Sequence, residues 1–220
     1  MMSTKWKVIT PVAVEPITLT DTKAYLRVDF DDDDSTIAEL ITRARSMTET
    51  ITGRAMATQQ IQLVETIERP IGGVLSGPIE QGPNWYQYQE QLGANPFGPA
   101  QFYFDLPMPP VQANQAITVQ TKITAFDTWT NFIITPPATW LDDTSEPARF
   151  YFQVPITANF WKFTYYAGYD SVQSYSIPQD LMQPMLELVG YWYQYREAAG
   201  DAAQLQQITN KLLAKRVSWV

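Results

Sequence analysis

Residues 16–54 read PITLTDTKAYLRVDFDDDDSTIAELITRARSMTETITGR, and spacing alone draws two helices in this stretch. Thr18 stands three residues before Asp21, a variant of the capping box that satisfies the free amides of a helix start. A short helix is therefore predicted over about Leu19 to Arg27. Its apolar stripe of Leu19, Ala24, Tyr25 and Val28 is narrow, so it needs a larger packing partner. Ile37, Leu40, Ile41, Ala44, Met47 and Ile51 supply one, recurring at helical spacing. Gly53 then offers the left-handed residue that commonly ends a helix.

The intervening Asp31-Asp32-Asp33-Asp34 invites a metal reading. A calcium loop needs oxygen ligands at alternating positions, a glycine turn and a distal glutamate, and the run does not offer them. Capping and compensation of the helix dipole account for it better, and neither metal nor cofactor is assigned.

Beyond Gly53 the pattern changes to short segments, several alternating apolar with polar. Strands are expected at Thr58 to Ile67, Gln101 to Leu106, Ala116 to Lys122, Ile123 to Asp127, Asn131 to Thr135, Ala148 to Gln153 and Phe160 to Ala167. Pro, Gly and Asn clusters separate them, which favours an antiparallel sheet or small sandwich over a parallel one. Residues 77–100 have no period and exceed the usual connection of about 4 to 6 residues. This long loop carries Trp85, Tyr86, Tyr88 and Phe97, rings suited to packing on the sheet, on a neighbouring subunit or on a tail partner, or to stacking on sugars.

Helical spacing returns with Leu181, Met185, Leu188, Val189, Trp192, Tyr193 and Arg196. Ser176-Ile177-Pro178-Gln179 reads as a second capping box. Pro184 cannot donate to the carbonyl of Asp180, so Asp180 is expected to recap the helix with Pro184 in its first turn. After Gly200-Asp201 the stripe resumes through Leu205, Ile208, Leu212, Leu213 and Val217. The last segment, Lys211 to Val220, is basic and ends in Trp219-Val220, and an ordinary cationic helix end favoured by the macrodipole is one reading of it.

Composition narrows the chemistry. The 220 residues include no histidine and no cysteine, which removes histidine-based acid–base catalysis, histidine or thiolate zinc sites and disulfides. Fifteen Lys plus Arg against 23 Asp plus Glu leave a net charge of -8, the wrong sign for gripping phosphate backbones over the whole surface. No apolar run reaches the length of a membrane helix, and Met1 to Thr10 lacks the apolar region of a signal peptide. No phosphate-cradling Gly-rich motif occurs. Asp142, Asp143 and Glu146 lie close enough in sequence to suggest a glycosidase pair, but their Pro-rich turn favours a capping role. The chain is read as a non-enzyme.

The order of these pieces resembles the head-tail connector (adaptor, head completion) family of tailed bacteriophages. That family opens with P-[IV]-[ST]-L-x-[ED]-x-K-x-[HY]-L-R-[IV], an acidic linker and a helix ending near T-G-R. Here Pro16, Ile17, Thr18, Leu19, Asp21, Lys23, Tyr25, Leu26, Arg27 and Val28 match, followed by Asp33, Ile37, Ala44, Thr52, Gly53 and Arg54. FDLPMPPV resembles the family's proline-rich strand turn. Ala167, Gly168, Tyr169, Ile177, Pro178, Tyr193, Arg196 and Glu197 resemble its ending. The long loop, Met108 where arginine is common, and Pro184 depart from the pattern.

The resemblance implies an α+β fold: a helical connector core from residues 14–56 and 176–217, a β insertion over 57–170, and terminal arms at 1–13 and 218–220. It also implies a virion neck subunit assembled in the host cytoplasm into a ring, usually of twelve, between portal protein and a tail-completion or tail-tube protein. DNA would pass through the ring without sequence-specific binding. In such connectors the C-terminal segment often reaches toward the portal, and Lys211, Lys215, Arg216 and Trp219 would suit a portal-docking arm with a hydrophobic anchor, a reading as good as the cationic helix end. The alternative is a carbohydrate- or receptor-binding β module of a virion, prompted by Trp85, Tyr86, Tyr88 and Trp140.

Overall fold

A computed structural model describes residues 3–66, 102–134, 139–152, 158–170, 176–196 and 200–218. The fold is α+β. Among the described residues four helices from the two ends of the chain pack together, and the strands, one before the first helix and the rest between the second and third, form two antiparallel sheets.

The helices follow the spacing closely. Helix α1 (Leu19–Leu26) starts as expected, with the Thr18 hydroxyl accepting from the Asp21 amide at 3.0 Å and donating to its carboxylate at 2.6 Å. Helix α2 (Asp34–Thr52) ends on left-handed Gly53, φ 70°. Its buried face of Ile37, Ile41 and Ala44 meets Leu181, Met185, Leu188 and Val189 of α3 (Gln179–Gln194) and Ile208 and Leu212 of α4 (Ala202–Leu213). Truncating one such fully buried leucine to alanine typically costs about 2–5 kcal/mol.

Two expectations about these helices are corrected. Helix α3 starts directly after Pro178, with no side-chain cap from Ser176 and no recapping at Asp180, and it runs through Pro184. Packing of Pro184 and its neighbours into the helical core holds the turn that lacks a hydrogen bond. The last apolar stripe stops being helical after Leu213; Val217 is buried nonetheless, its N–H donating to the Thr52 carbonyl at 2.8 Å.

The larger sheet runs β1-β2-β8-β4-β5, with β1 (Ser3–Thr10), β2 (Gln59–Thr66), β4 (Thr118–Lys122), β5 (Thr130–Asn131) and β8 (Phe160–Ala167). The smaller runs β3-β7-β6, with β3 (Phe102–Leu106), β6 (Thr139–Asp142) and β7 (Ala148–Phe152). The inward residues of β2 and β8 alternate strictly with half-exposed ones, the signature of a sheet covered on one face. Rings from both sheets interleave: Phe104 lies 4.9 Å from Phe163 and Phe152 lies 5.0 Å from Trp161. Such pairs add to area burial through edge-to-face and offset contacts.

Four expectations about the strands change. Ser3–Thr10, placed by the resemblance in a terminal arm, is the edge strand β1, paired from Ser3↔Thr66 to Thr10↔Gln60. Residues 123–127 form a turn instead of a strand, because the Asp127 carboxylate captures the Thr124 amide at 2.6 Å. The segment expected from Asn131 shortens to the two residues of β5, and Thr139–Asp142, read as turn, is β6.

The two cores meet at the end of α2. Glu49 accepts from the Met56 amide and from Gln59 Nε2, both at 3.0 Å, and the Ala55 amide donates to the Pro109 carbonyl at 3.1 Å. Gly168, φ 113°, lies so close to the Ala57 carbonyl that a Cβ would collide with it.

Candidate interaction surfaces

The acidic run is mostly consumed inside the helical unit. Lys23 Nζ donates to Asp31 and Asp34, each at 2.7 Å. Asp33 is the N-cap residue of α2 by position, yet its carboxylate accepts from the Tyr193 hydroxyl at 2.5 Å and from Arg196 at 3.0 Å instead of capping an amide. Those two donors hold its carboxyl below the usual aspartate range. Thus the run ties α1, α2 and α3 together, a role its capping reading missed. Asp29, Phe30 and Asp32 remain at the exposed tip between α1 and α2.

The basic end is likewise engaged. Lys211 Nζ bonds Glu187 of α3 at 2.7 and 2.8 Å, and Lys215 pairs with Asp180. Arg216 is exposed. Trp219 lies outside the described residues, as do Trp85, Tyr86, Tyr88 and Phe97 of the long loop. The structure brings Lys211 and Lys215 to one side of α3 and holds both in intrachain ion pairs.

A joint of Arg54, Glu146 and the C-terminal segment links the two units. Arg54 Nη1 donates to Glu146 at 2.5 Å, Nη2 bonds its second oxygen, and Nε donates to the Lys215 carbonyl at 3.0 Å. Arg54 keeps Glu146 below the ordinary glutamate range. Asp142 accepts from Thr144 N at 3.0 Å and Thr144 Oγ1 at 2.6 Å. These acids fasten a turn, as their sequence context suggested.

A groove of about 480 Å³ opens between α1, α3 and α4, lined by Tyr25, Gly190, Tyr191, Gln204 and Lys211 among others. Tyrosine and glutamine share its lining with Leu26 and Ile208, and its Lys211 and Glu187 are already bonded to each other.

The outer face of the larger sheet escaped the sequence reading. Register places Lys5, Lys7, Lys162 and Lys122 on it, with Ser, Thr, Gln, Asn, Val and aromatic residues at the other positions. Lys122 and Lys162 flank the Trp129 ring at 5.0 and 4.6 Å. Burial and the neighbouring Lys122 hold Lys162 below the ordinary lysine range. The signal was present as Lys5-Trp6-Lys7-Val8 alternation, but only the strand register brings these lysines to the same face as those of β4 and β8. At the adjoining tip Phe126 and Ile123 are exposed, 99% and 59%.

Residues 16–76 match the model of the phage gp6-like head-tail connector protein family, which bears out the resemblance over that stretch. No curated protein matches the chain. Its fold is shared nearly end to end with solved chains. One, from the neck of an empty GTA particle computed with C6 symmetry, has TM-score 0.63 and 15% identity, covering 98% of this chain and 97% of that one. Another, from the virion of a native gene transfer agent (GTA) particle, has TM-score 0.62 and 16% identity, covering 98% and 96%. A third, from the neck of a native GTA particle computed with C12 symmetry, has TM-score 0.60 and 16% identity, covering 98% and 97%.

Proposed function

We propose that this chain, similar to head-tail connectors in its first helical unit and to neck-particle chains in its whole fold, is a structural head-tail connector subunit of a tailed phage. Copies form a ring in the virion neck, about twelve by analogy with the C12 neck. The ring joins the portal protein to a tail-completion or tail-tube protein and surrounds the DNA channel. No reaction is required of it. The observation that carries this reading is the coincidence of a connector-family match over residues 16–76 with a fold match covering 98% of the chain.

The Arg54 joint suits a subunit that must transmit force: a partly buried bidentate pair ties the helical unit to the sheet pair. A net charge of -8 per copy would let an acidic lumen pass DNA without holding it. Electron micrographs of the purified chain mixed with its portal test the reading. Rings seated on the portal are expected; a dispersed chain that leaves the portal bare would overturn it.

The rival reading, a glycan- or receptor-binding β module, loses its best described ring. Trp140 stacks on Tyr151 at 4.7 Å and 5°, so one of its faces is already covered. A glycan array is expected to give no binding.

A further inference from the structure

A ring of identical subunits needs two different surfaces on each chain that fit one another, because head-to-tail contacts close a cycle only by joining one patch to another. In a chain of net charge -8, the outer face of the larger sheet is cationic along its described strands. No strand position on it carries a carboxylate, while Lys5 and Lys7 of β1, Lys122 of β4 and Lys162 of β8 all lie there. Lys122 donates to the Ala125 carbonyl at 2.8 Å and Lys162 stands over Trp129, and among the described residues neither forms an ion pair. Asp127 in the tip turn feels Lys122, but its carboxylate is committed to the Thr124 amide. Like charges kept side by side without a counter-ion are a cost that an incoming anionic surface relieves.

The matching surface is on the same chain. The tip between α1 and α2 exposes Asp29, Phe30 and Asp32, with Phe30 48% exposed, beyond the carboxylates that Lys23, Tyr193 and Arg196 already occupy. Acid and aromatic there complement lysine and tryptophan on the sheet. Phosphate is the poorer fit: the face offers no arginine at any strand position, and the forked guanidinium is the side chain that suits bidentate phosphate contacts.

We propose that the lysine-bearing face of the larger sheet is the ring interface and that it docks the Asp29–Asp32 tip of the neighbouring copy. This rests on the ring reading above and specifies which surfaces make it. Ring formation by the full chain, alone and on its portal, is scored by mass photometry for the wild type, for K122E/K162E, for D29K/D32K and for the variant with all four changes. Each double variant is expected to raise the concentration needed for rings by about tenfold or more, as one lost charge contact worth about 1.4 kcal/mol would do. The fourfold variant is expected to recover toward the wild type. Urea midpoints that match the wild type show that each variant is folded.

Wild-type rings with no effect of either double variant would overturn the interface and leave the ring reading intact. A wild type that makes no ring under either condition would overturn both. Loss of binding to a labelled DNA duplex in K122E/K162E, with rings unchanged, would assign the face to a polyanion and overturn the interface.

Discussion

Arg54 grips both carboxylate oxygens of Glu146, 92 positions away in the chain. The same guanidinium reaches the Lys215 carbonyl at 3.0 Å, so one side chain fastens the end of α2, the turn before β7 and the C-terminal segment. A bidentate pair fixes orientation as well as distance, which is what a joint between two separate cores needs.

Replacing Arg54 by alanine should therefore destabilise the chain by about 1–3 kcal/mol, less than a fully buried pair because Glu146 is half exposed. R54K should recover only part of this, since an ammonium cannot make the forked contact. Urea denaturation of the wild type and both variants measures it.

Acid should loosen the same joint. Glu146 has its folded pKa depressed below the ordinary 4.5 by Arg54, so its contribution is complete above that value and is lost as pH falls through the folded one. Asp33 behaves alike on the helical side. Glu49 runs the other way: burial raises its pKa, so its share weakens as pH rises from the ordinary 4.5 through the higher folded value. Urea midpoints followed across the carboxylate range should fall toward acid, and E146Q should flatten that fall.

Gly168 should tolerate no side chain. At φ 113° a Cβ would meet the Ala57 carbonyl where β8 leaves the sheet. Left-handed strain and the collision together predict a loss of at least about 2 kcal/mol for G168A, read as a lowered melting temperature.

The Tyr193–Asp33–Arg196 cluster should be as sensitive as a packing contact. Y193F removes the hydroxyl that donates to Asp33 at 2.5 Å, and Asp33 should then titrate at a higher pH, nearer the ordinary aspartate value. Carboxyl-resolved NMR titration checks the direction.

Much of this architecture was readable from spacing. The Thr18 cap, the Ile37-to-Ile51 stripe and Gly53 placed α1 and α2 closely, because local hydrogen bonds and one buried face decide a helix. Strands β2, β7 and β8 were legible where burial imposes alternation. The failures sit where a non-local contact won. Residues 123–127 alternate like a strand, but Asp127 closes a turn on Thr124. β6 hides in a Pro-rich run and exists through its pairing with β7. β1 depends on the long-range ladder to β2, as does the lysine face it contributes to. The acidic run reads as capping, yet Asp31 and Asp34 bind Lys23 and Asp33 binds Tyr193 and Arg196, about 160 positions away.

The most direct test of the neck-subunit reading is mass photometry of the purified chain, alone and with its portal protein. A closed species of about twelve times the 25.1 kDa subunit mass is expected, either free or added to the portal ring. A single 25.1 kDa species under both conditions would contradict it.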